Sequence, residues 1–180
     1  MLQIIVPAAE CYDDKTGEFH SIRETVLQLE HSLISVAKWE SKWQKPFLST
    51  NDKTEEECRD YVRCMTINKG VDPSVYAFLT QEHFQKINAY IEAPMTATTF
   101  SNREGHRGSR EIITAEIIYY WMVALQIPFE CERWHLNRLI TLVRVCNIKN
   151  APSKKMSKLD AAKRNRSLNA SRRKAHGGHG

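Results

Sequence analysis

Ser109-Arg-Glu-Ile-Ile-Thr-Ala-Glu-Ile-Ile-Tyr-Tyr-Trp-Met-Val-Ala-Leu125 holds the longest apolar run of the 180-residue chain, from Ile117 to Leu125. That run is about half the length needed to span a bilayer, so it reads as a core element rather than a membrane one. Ser109 is placed to cap a helix over residues 110–125. Ile112, Ile113, Ala115, Ile117, Ile118, Tyr119, Tyr120, Trp121 and Met122 surround that helix almost completely. A helix apolar on most sides is either buried in its own fold or covered by a partner. Pro128 breaks the pattern. A second helix is expected over residues 130–147, with Leu136, Leu139, Ile140, Val143 and Cys146 on one face and Arg133, Asn137, Arg138 and Arg144 on others. The short turn between them predicts an antiparallel hairpin.

The N-terminal half carries further helical signals. Ser32 opens a stripe of Leu33, Val36, Ala37, Glu40 and Trp43, and Lys45-Pro46 ends it, because the residue before proline is pushed out of the helical region. Thr54-Glu-Glu-Glu57 suits the positive end of the next helix, whose apolar face is Cys58, Tyr61, Val62 and Met65. Asp72-Pro73 starts a short helix and Thr80 a further one, with Phe84, Ile87 and Ile91 inward. Residues 2–6 and roughly 24–30 read as a small β element, though Thr25 to Glu30 also fits a helix. Residues 13–17 are a turn signal. The polar stretch 94–108 reads as a mobile loop without the Gly-Lys-Ser/Thr ending of a phosphate loop. The expected fold is therefore mainly α: a compact helical domain with a small N-terminal β element, a C-terminal helical hairpin and a basic, partly disordered tail.

Charge marks the domain boundary. Residues 151–180 hold nine Lys/Arg and one acid, about +8, whereas residues 1–150 hold 17 basic and 20 acidic residues, about −3. Asn150-Ala-Pro-Ser153 supplies the breaker, giving a body over 1–150 and a tail over 151–180. The tail has reasonable helix formers but no continuous apolar face, so a solvated, partly helical segment is expected. A mildly acidic body with a basic tail fits an interaction protein better than a basic-faced nucleic-acid domain. The N-terminus lacks a basic leader and its apolar run is broken by Pro7, so a soluble cytoplasmic protein is expected.

Cys11, Cys58, Cys64, Cys131 and Cys146 form an odd, spread set, expected to be reduced thiols. Cys131 and His135 stand at half-site spacing for a metal, but no second pair accompanies them, and a buried thiol beside a histidine is the simpler reading. The Gly-Gly-His-Gly ending, with His176 and His179, reads as a floppy end. His31, His83 and His135 are scattered, and neither a nucleophile motif nor a positioned acid–base pair is visible, so no enzyme, cofactor or metal is expected. Trp39 and Trp43 share a helical face at i and i+4, either as core anchors, the simpler reading, or as a partner's hot spot. Trp134 lies off the apolar face of its helix and is the better exposed anchor.

Four strings carry a resemblance. They are Leu29-Glu-His-Ser-Leu-Ile-Ser-Val-Ala-Lys-Trp-Glu-Ser-Lys-Trp-Gln-Lys-Pro-Phe47, Met95-Thr-Ala-Thr-Thr-Phe100, Glu111-Ile-Ile-Thr-Ala-Glu-Ile-Ile-Tyr-Tyr-Trp121, and Trp134-His-Leu-Asn-Arg-Leu-Ile140 continuing to Asn147-Ile-Lys-Asn150. With the tail start Lys154-Lys-Met-Ser157, the chain resembles tail assembly chaperones of long-tailed bacteriophages over nearly its whole length. The resemblance implies binding of the tape-measure protein, which is kept soluble while tail-tube subunits polymerise around it. It also implies location in the host cytoplasm, absence from the mature virion, no catalysis and no cofactor, and a longer form made by translational frameshift. Trp39, Trp43, Tyr119, Tyr120 and Trp134 are the candidate client contacts. Lys154, Lys155, Lys158, Arg164, Arg172 and Arg173 are candidate tail contacts to the client, the tail-tube protein or the frameshifted longer form or, in a rival reading as a nucleic-acid-binding or head-associated phage protein, to nucleic acid.

Overall fold

Ile4, Val6, Leu27 and Leu29 are buried and alternate with exposed or half-exposed neighbours, the period-two pattern of a one-sided sheet. In the computed structural model they lie on strands β1 (Leu2–Val6) and β4 (Thr25–Leu29), paired antiparallel with Ile4 opposite Leu27. A second antiparallel ladder, β2 (Ala9–Asp13) with β3 (Glu18–Ile22), was not anticipated as a separate sheet. The structure describes residues 1–13, 18–50, 52–100, 112–151 and 158–175. Most of the expected 13–17 turn, much of the 94–108 loop, Ser109, Lys154, Lys155, His176 and His179 lie outside them. The chain divides into two units, Met1–Ile148 and Lys149–Gly180.

The helices begin where capping chemistry allows. Helices α1 (Leu33–Trp43), α2 (Glu55–Met65) and α3 (Gln81–Glu92) start at Ser32, Thr54 and Thr80. Each has a reciprocal capping box, closed by Ser35, Glu57 and His83 respectively. Helix α1 ends with Gln44 in the left-handed region (φ 53°), just ahead of Lys45-Pro46. Asp72 caps the 3-10 turn Pro73–Phe78. Together these elements give the mainly α fold expected of the chain, with β1 and β4 as its small N-terminal sheet.

Two expected boundaries shift, each for a local reason. Helix α4 (Ala115–Ala124) starts later than expected, with Thr114 extended and making no side-chain cap. Its first N–H, at Ala115, is instead taken by the Glu40 carboxylate at 2.7 Å. After Pro128 the chain makes a 3-10 turn, Phe129–Arg133, and α5 (Leu136–Asn150) begins only after it. Residues 135 and 136 are held against the start of α1, where Ser32 bridges His135 and the Leu136 N–H donates to the His31 carbonyl at 2.7 Å. Helix α4 packs most closely on α1. It is also not buried all round: Ala115, Ile118 and Met122 are inside, while Tyr120 and Val123 face out.

In the second unit, α6 (Lys158–Ala175) is a helix whose residues 162–173 are all exposed. No helix among the described residues is long and apolar enough to cross a membrane.

Glu40 is buried, and its two oxygens accept the N–H groups of Phe47 and Ala115, both at 2.7 Å. Removing it strands two buried donors, each costing about 1–3 kcal/mol. Glu40→Ala is expected to lower unfolding free energy in urea by about 2–4 kcal/mol. Glu40→Gln, which retains one acceptor, is expected to lose roughly half as much. Equal stability of Glu40→Ala and the wild type would show that α4 is not capped from α1.

Candidate partner-binding surface

The tryptophan pair on α1 is turned toward α2. Trp39 has 0% exposure, and its indole Nε1 donates to the Glu57 carbonyl at 2.9 Å. It packs edge-on against Phe47, which in turn stacks on Tyr61. Trp39 is therefore a core anchor, and the partner-contact alternative is corrected: a fully buried ring touches no partner without opening the fold. Trp43 is half-buried, and its Nε1 donates to Asp60 Oδ2 at 2.8 Å. Lys42 and Arg63 converge on the other oxygen of Asp60 at 2.7 and 2.8 Å. Burial raises the Asp60 pKa, but hydrogen bonds from Lys42 and Trp43 and the Arg63 charge outweigh it and hold the carboxyl below its ordinary value. Lys45 pairs with Glu57 and lowers that carboxyl too. The i, i+4 tryptophan face is thus the α1–α2 seam.

A second polar cluster joins the sheet end, α1, α3 and the start of α5. His31 is buried, its Nδ1 hydrogen-bonded to the Tyr61 hydroxyl, and its ring stands edge-on to His135 with centroids 5.1 Å apart. The Tyr90 carbonyl can only accept, so His135 Nε2 carries the proton and donates to it at 3.0 Å. Nδ1 of His135 then accepts the Asn137 N–H at 3.3 Å. The Tyr90 hydroxyl donates to Glu30, whose other oxygen pairs with the Met1 amino group. Burial, with the neighbouring His135, pushes the His31 pKa down to about 3, and burial also lowers that of His135. Both rings are therefore neutral spacers near neutral pH. No cluster of three or more metal-ligating side chains exists among the described residues. Cys58, Cys64, Cys131 and Cys146 are free thiols, and burial raises the pKa of the first three, away from reactive thiolates.

The outer side of α4 differs from both clusters. Tyr120 is 68% exposed and Val123 is 60% exposed, one helical turn apart. Phe129, 55% exposed, continues the patch from the 3-10 turn, its ring 6.4 Å from that of half-buried Tyr119. The Tyr119 hydroxyl donates to Glu132 at 2.9 Å, which ties the helix to the turn. Of the five aromatic residues singled out from the sequence, Tyr119 and Tyr120 fall on this patch. Val123 and Phe129 were missed. Their signal was present, since Val123 follows Tyr120 by three and Phe129 follows the Pro128 break, but an all-round apolar helix does not declare which side is out.

Trp134 is half-buried with the Arg138 guanidinium 4.1 Å above its ring. Of the tail residues, Arg164, Arg172 and Arg173 are exposed along α6, and Lys158 is its first residue. Two shallow clefts add no aromatic site. One, of about 360 Å³, lies beside Arg23, Asn68, Lys69 and Asp72. The other, of about 290 Å³, lies between Glu30, Lys38, Cys64, Ile67 and Arg133.

The histidine cluster sets a pH dependence. Unfolding restores His31 to its ordinary value near 6.5, so the unfolded chain binds a proton that the folded chain refuses. Stability is then constant above neutrality and falls as pH drops below about 6.5, the loss becoming complete only near pH 3. Urea titrations at pH 7 and pH 5 are expected to differ by about 2 kcal/mol. A His31→Asn variant should flatten that dependence, and an unchanged slope would show that His31 is not its source. The chain matches no known family model, no characterised protein and no solved structure.

Proposed function

We propose that this chain is a tail assembly chaperone of the long-tailed bacteriophage type, which binds a tape-measure protein and keeps it soluble while tail-tube subunits polymerise. The observation that supports it best is the aromatic patch of Tyr120, Val123 and Phe129 on the outside of an anchored helix. A tape measure is a long helical chain whose apolar stripes need cover until the tube surrounds it. A small, rigid apolar surface is suited to that task, because helices are read by an apolar face laid against i, i+3 and i+4 anchors. The resemblance carried by residues 29–47, 95–100, 111–121 and 134–150 points the same way. In this reading the protein acts in the host cytoplasm by binding alone, without catalysis or cofactor, and leaves before the virion matures. The basic tail contacts the client or the tail tube, or joins an extra domain in a frameshifted form.

A second reading has its own support. Helix α6 presents Lys163, Arg164, Arg166, Arg172 and Arg173, all exposed, on a helix with no continuous apolar face. That is also how a chain neutralises phosphates, so nucleic-acid binding by the tail is the rival.

Co-expression with a tape-measure fragment that aggregates alone, followed by size-exclusion in high salt, separates the two. The chaperone reading expects a soluble complex that survives high salt. A client that still aggregates, with this chain eluting alone, would overturn it. Tail-driven binding to a DNA duplex, in contrast, should weaken roughly a thousandfold between about 50 and 200 mM salt.

A further inference from the structure

We infer that the outer face of α4 receives an amphipathic α-helix whose apolar stripe is flanked by lysines or arginines; the inference rests on the chaperone reading and specifies the chemistry of its client. The charge around the face is the first argument. Residues 115–132 contain Glu116, Glu130 and Glu132 and no Lys, Arg or His, the next cations along the chain being exposed Arg133 and Arg138. Glu116 lies one turn before Tyr120 on the same side of α4 and is exposed, and exposed Glu130 follows Phe129 directly. The apolar centre of Tyr120, Val123 and Phe129 therefore has carboxylates at both ends. A partner with cations beside its stripe gains attraction at the rim, and an acidic helix is repelled.

Size is the second argument. An aromatic side chain offers about 150–250 Å², so two aromatic rings and a valine, each somewhat over half exposed, present on the order of 300 Å². A stable interface needs about 800 Å² from each partner. The face is thus too small for a lasting dimer and large enough for one or two turns of a helix held briefly. A second copy of this face would bring the same three carboxylates against themselves, which disfavours self-pairing. Helix α6 supplies cations but no stripe, because Leu159 and Leu168 are nine residues apart and lie on opposite sides of it.

The face is also held ready. The Tyr119–Glu132 hydrogen bond and the Tyr119–Phe129 contact fix the 3-10 turn against α4. Glu40 fixes the start of α4 from α1. Binding then orders few protein groups, which lowers its entropic cost.

Three fluorescent peptides of about 20 residues, long enough to form helix, test this on the full chain. One has a leucine stripe flanked by lysines, one the same stripe flanked by glutamates, and one is a scramble of the first. In anisotropy titrations at about 0.15 M salt, the lysine-flanked helix is expected to bind at least tenfold more tightly than the other two. The double substitution Tyr120→Ala with Val123→Ala, both on exposed positions, is expected to weaken it tenfold or more. Glu116→Gln with Glu130→Gln is expected to abolish the preference for lysine over glutamate flanks. Scramble binding equal to that of the lysine helix would overturn the inference, as would a Tyr120/Val123 variant that binds unchanged with wild-type circular dichroism. The chaperone reading fails separately. A tape-measure fragment solubilised equally by wild type and the Tyr120/Val123 variant leaves the chaperone reading standing and removes the α4 face. Lysine-helix binding with no solubilisation supports the face and removes the tape measure as its client.

Discussion

The carboxylate of Glu40 lies inside the molecule with each oxygen committed to a backbone N–H from a different segment. One is Phe47, just after α1, and the other is Ala115, the first residue of α4, which lies 75 residues beyond Glu40. A carboxylate taken out of water is costly unless it is hydrogen-bonded, and charge-assisted bonds to N–H groups are among the stronger ones. The same two bonds satisfy donors that would otherwise be stranded, one of them at a helix start whose neighbour Thr114 offers no side-chain cap. The position of α4 therefore depends on α1 being a helix, and α1 depends on its Ser32–Ser35 capping box and on the tryptophan seam with α2.

This arrangement separates the aromatic residues by task. Trp39 and Trp43 spend their indole N–H groups on α2. Tyr61 and Tyr90 spend their hydroxyls on His31 and Glu30. Tyr119 holds Glu132, and Trp134 lies under Arg138. Among the described residues, Tyr120 has no part in these contacts. Its exposure beside Val123 and Phe129 leaves an apolar surface that the packing of the fold does not use.

How much of this was legible in the sequence follows from which forces are local. The caps at Ser32, Thr54, Asp72 and Thr80 are written in adjacent residues, as is the stop at Lys45-Pro46, so those helices could be placed within a residue or two. The β1–β4 pair was expected from residues 2–6 and 24–30, although Thr25 to Glu30 fitted a helix equally well, and the β2–β3 ladder was not expected at all. The starts of α4 and α5 were misplaced because they are set by distant groups: Glu40 for Ala115, and the His31 carbonyl for Leu136. Glu40 itself was placed on the inward stripe of its helix, yet only the fold reveals what a carboxylate does there. Likewise, the i, i+4 spacing of Trp39 and Trp43 gave the correct face without saying whether a helix or a client would cover it.

A face of some 300 Å² cannot by itself hold an aggregation-prone helix for long, and this is an argument in favour of the proposed role rather than against it. A client that must be released to a growing tube is better served by contacts that each dissociate quickly. Retention over a long client then comes from repetition: many weak sites along one chain act together through effective concentration, and each is displaced singly as the tube advances. Electrostatics divides the work further. The body carries about −3 and the tail about +8, and at physiological salt such charges act over about 8 Å. The carboxylates around Tyr120 can therefore bias which helix docks, while the apolar centre sets how firmly it stays. Selection by charge and retention by apolar area are separable properties, and in this protein they reside in neighbouring residues of one helix and the turn that follows it.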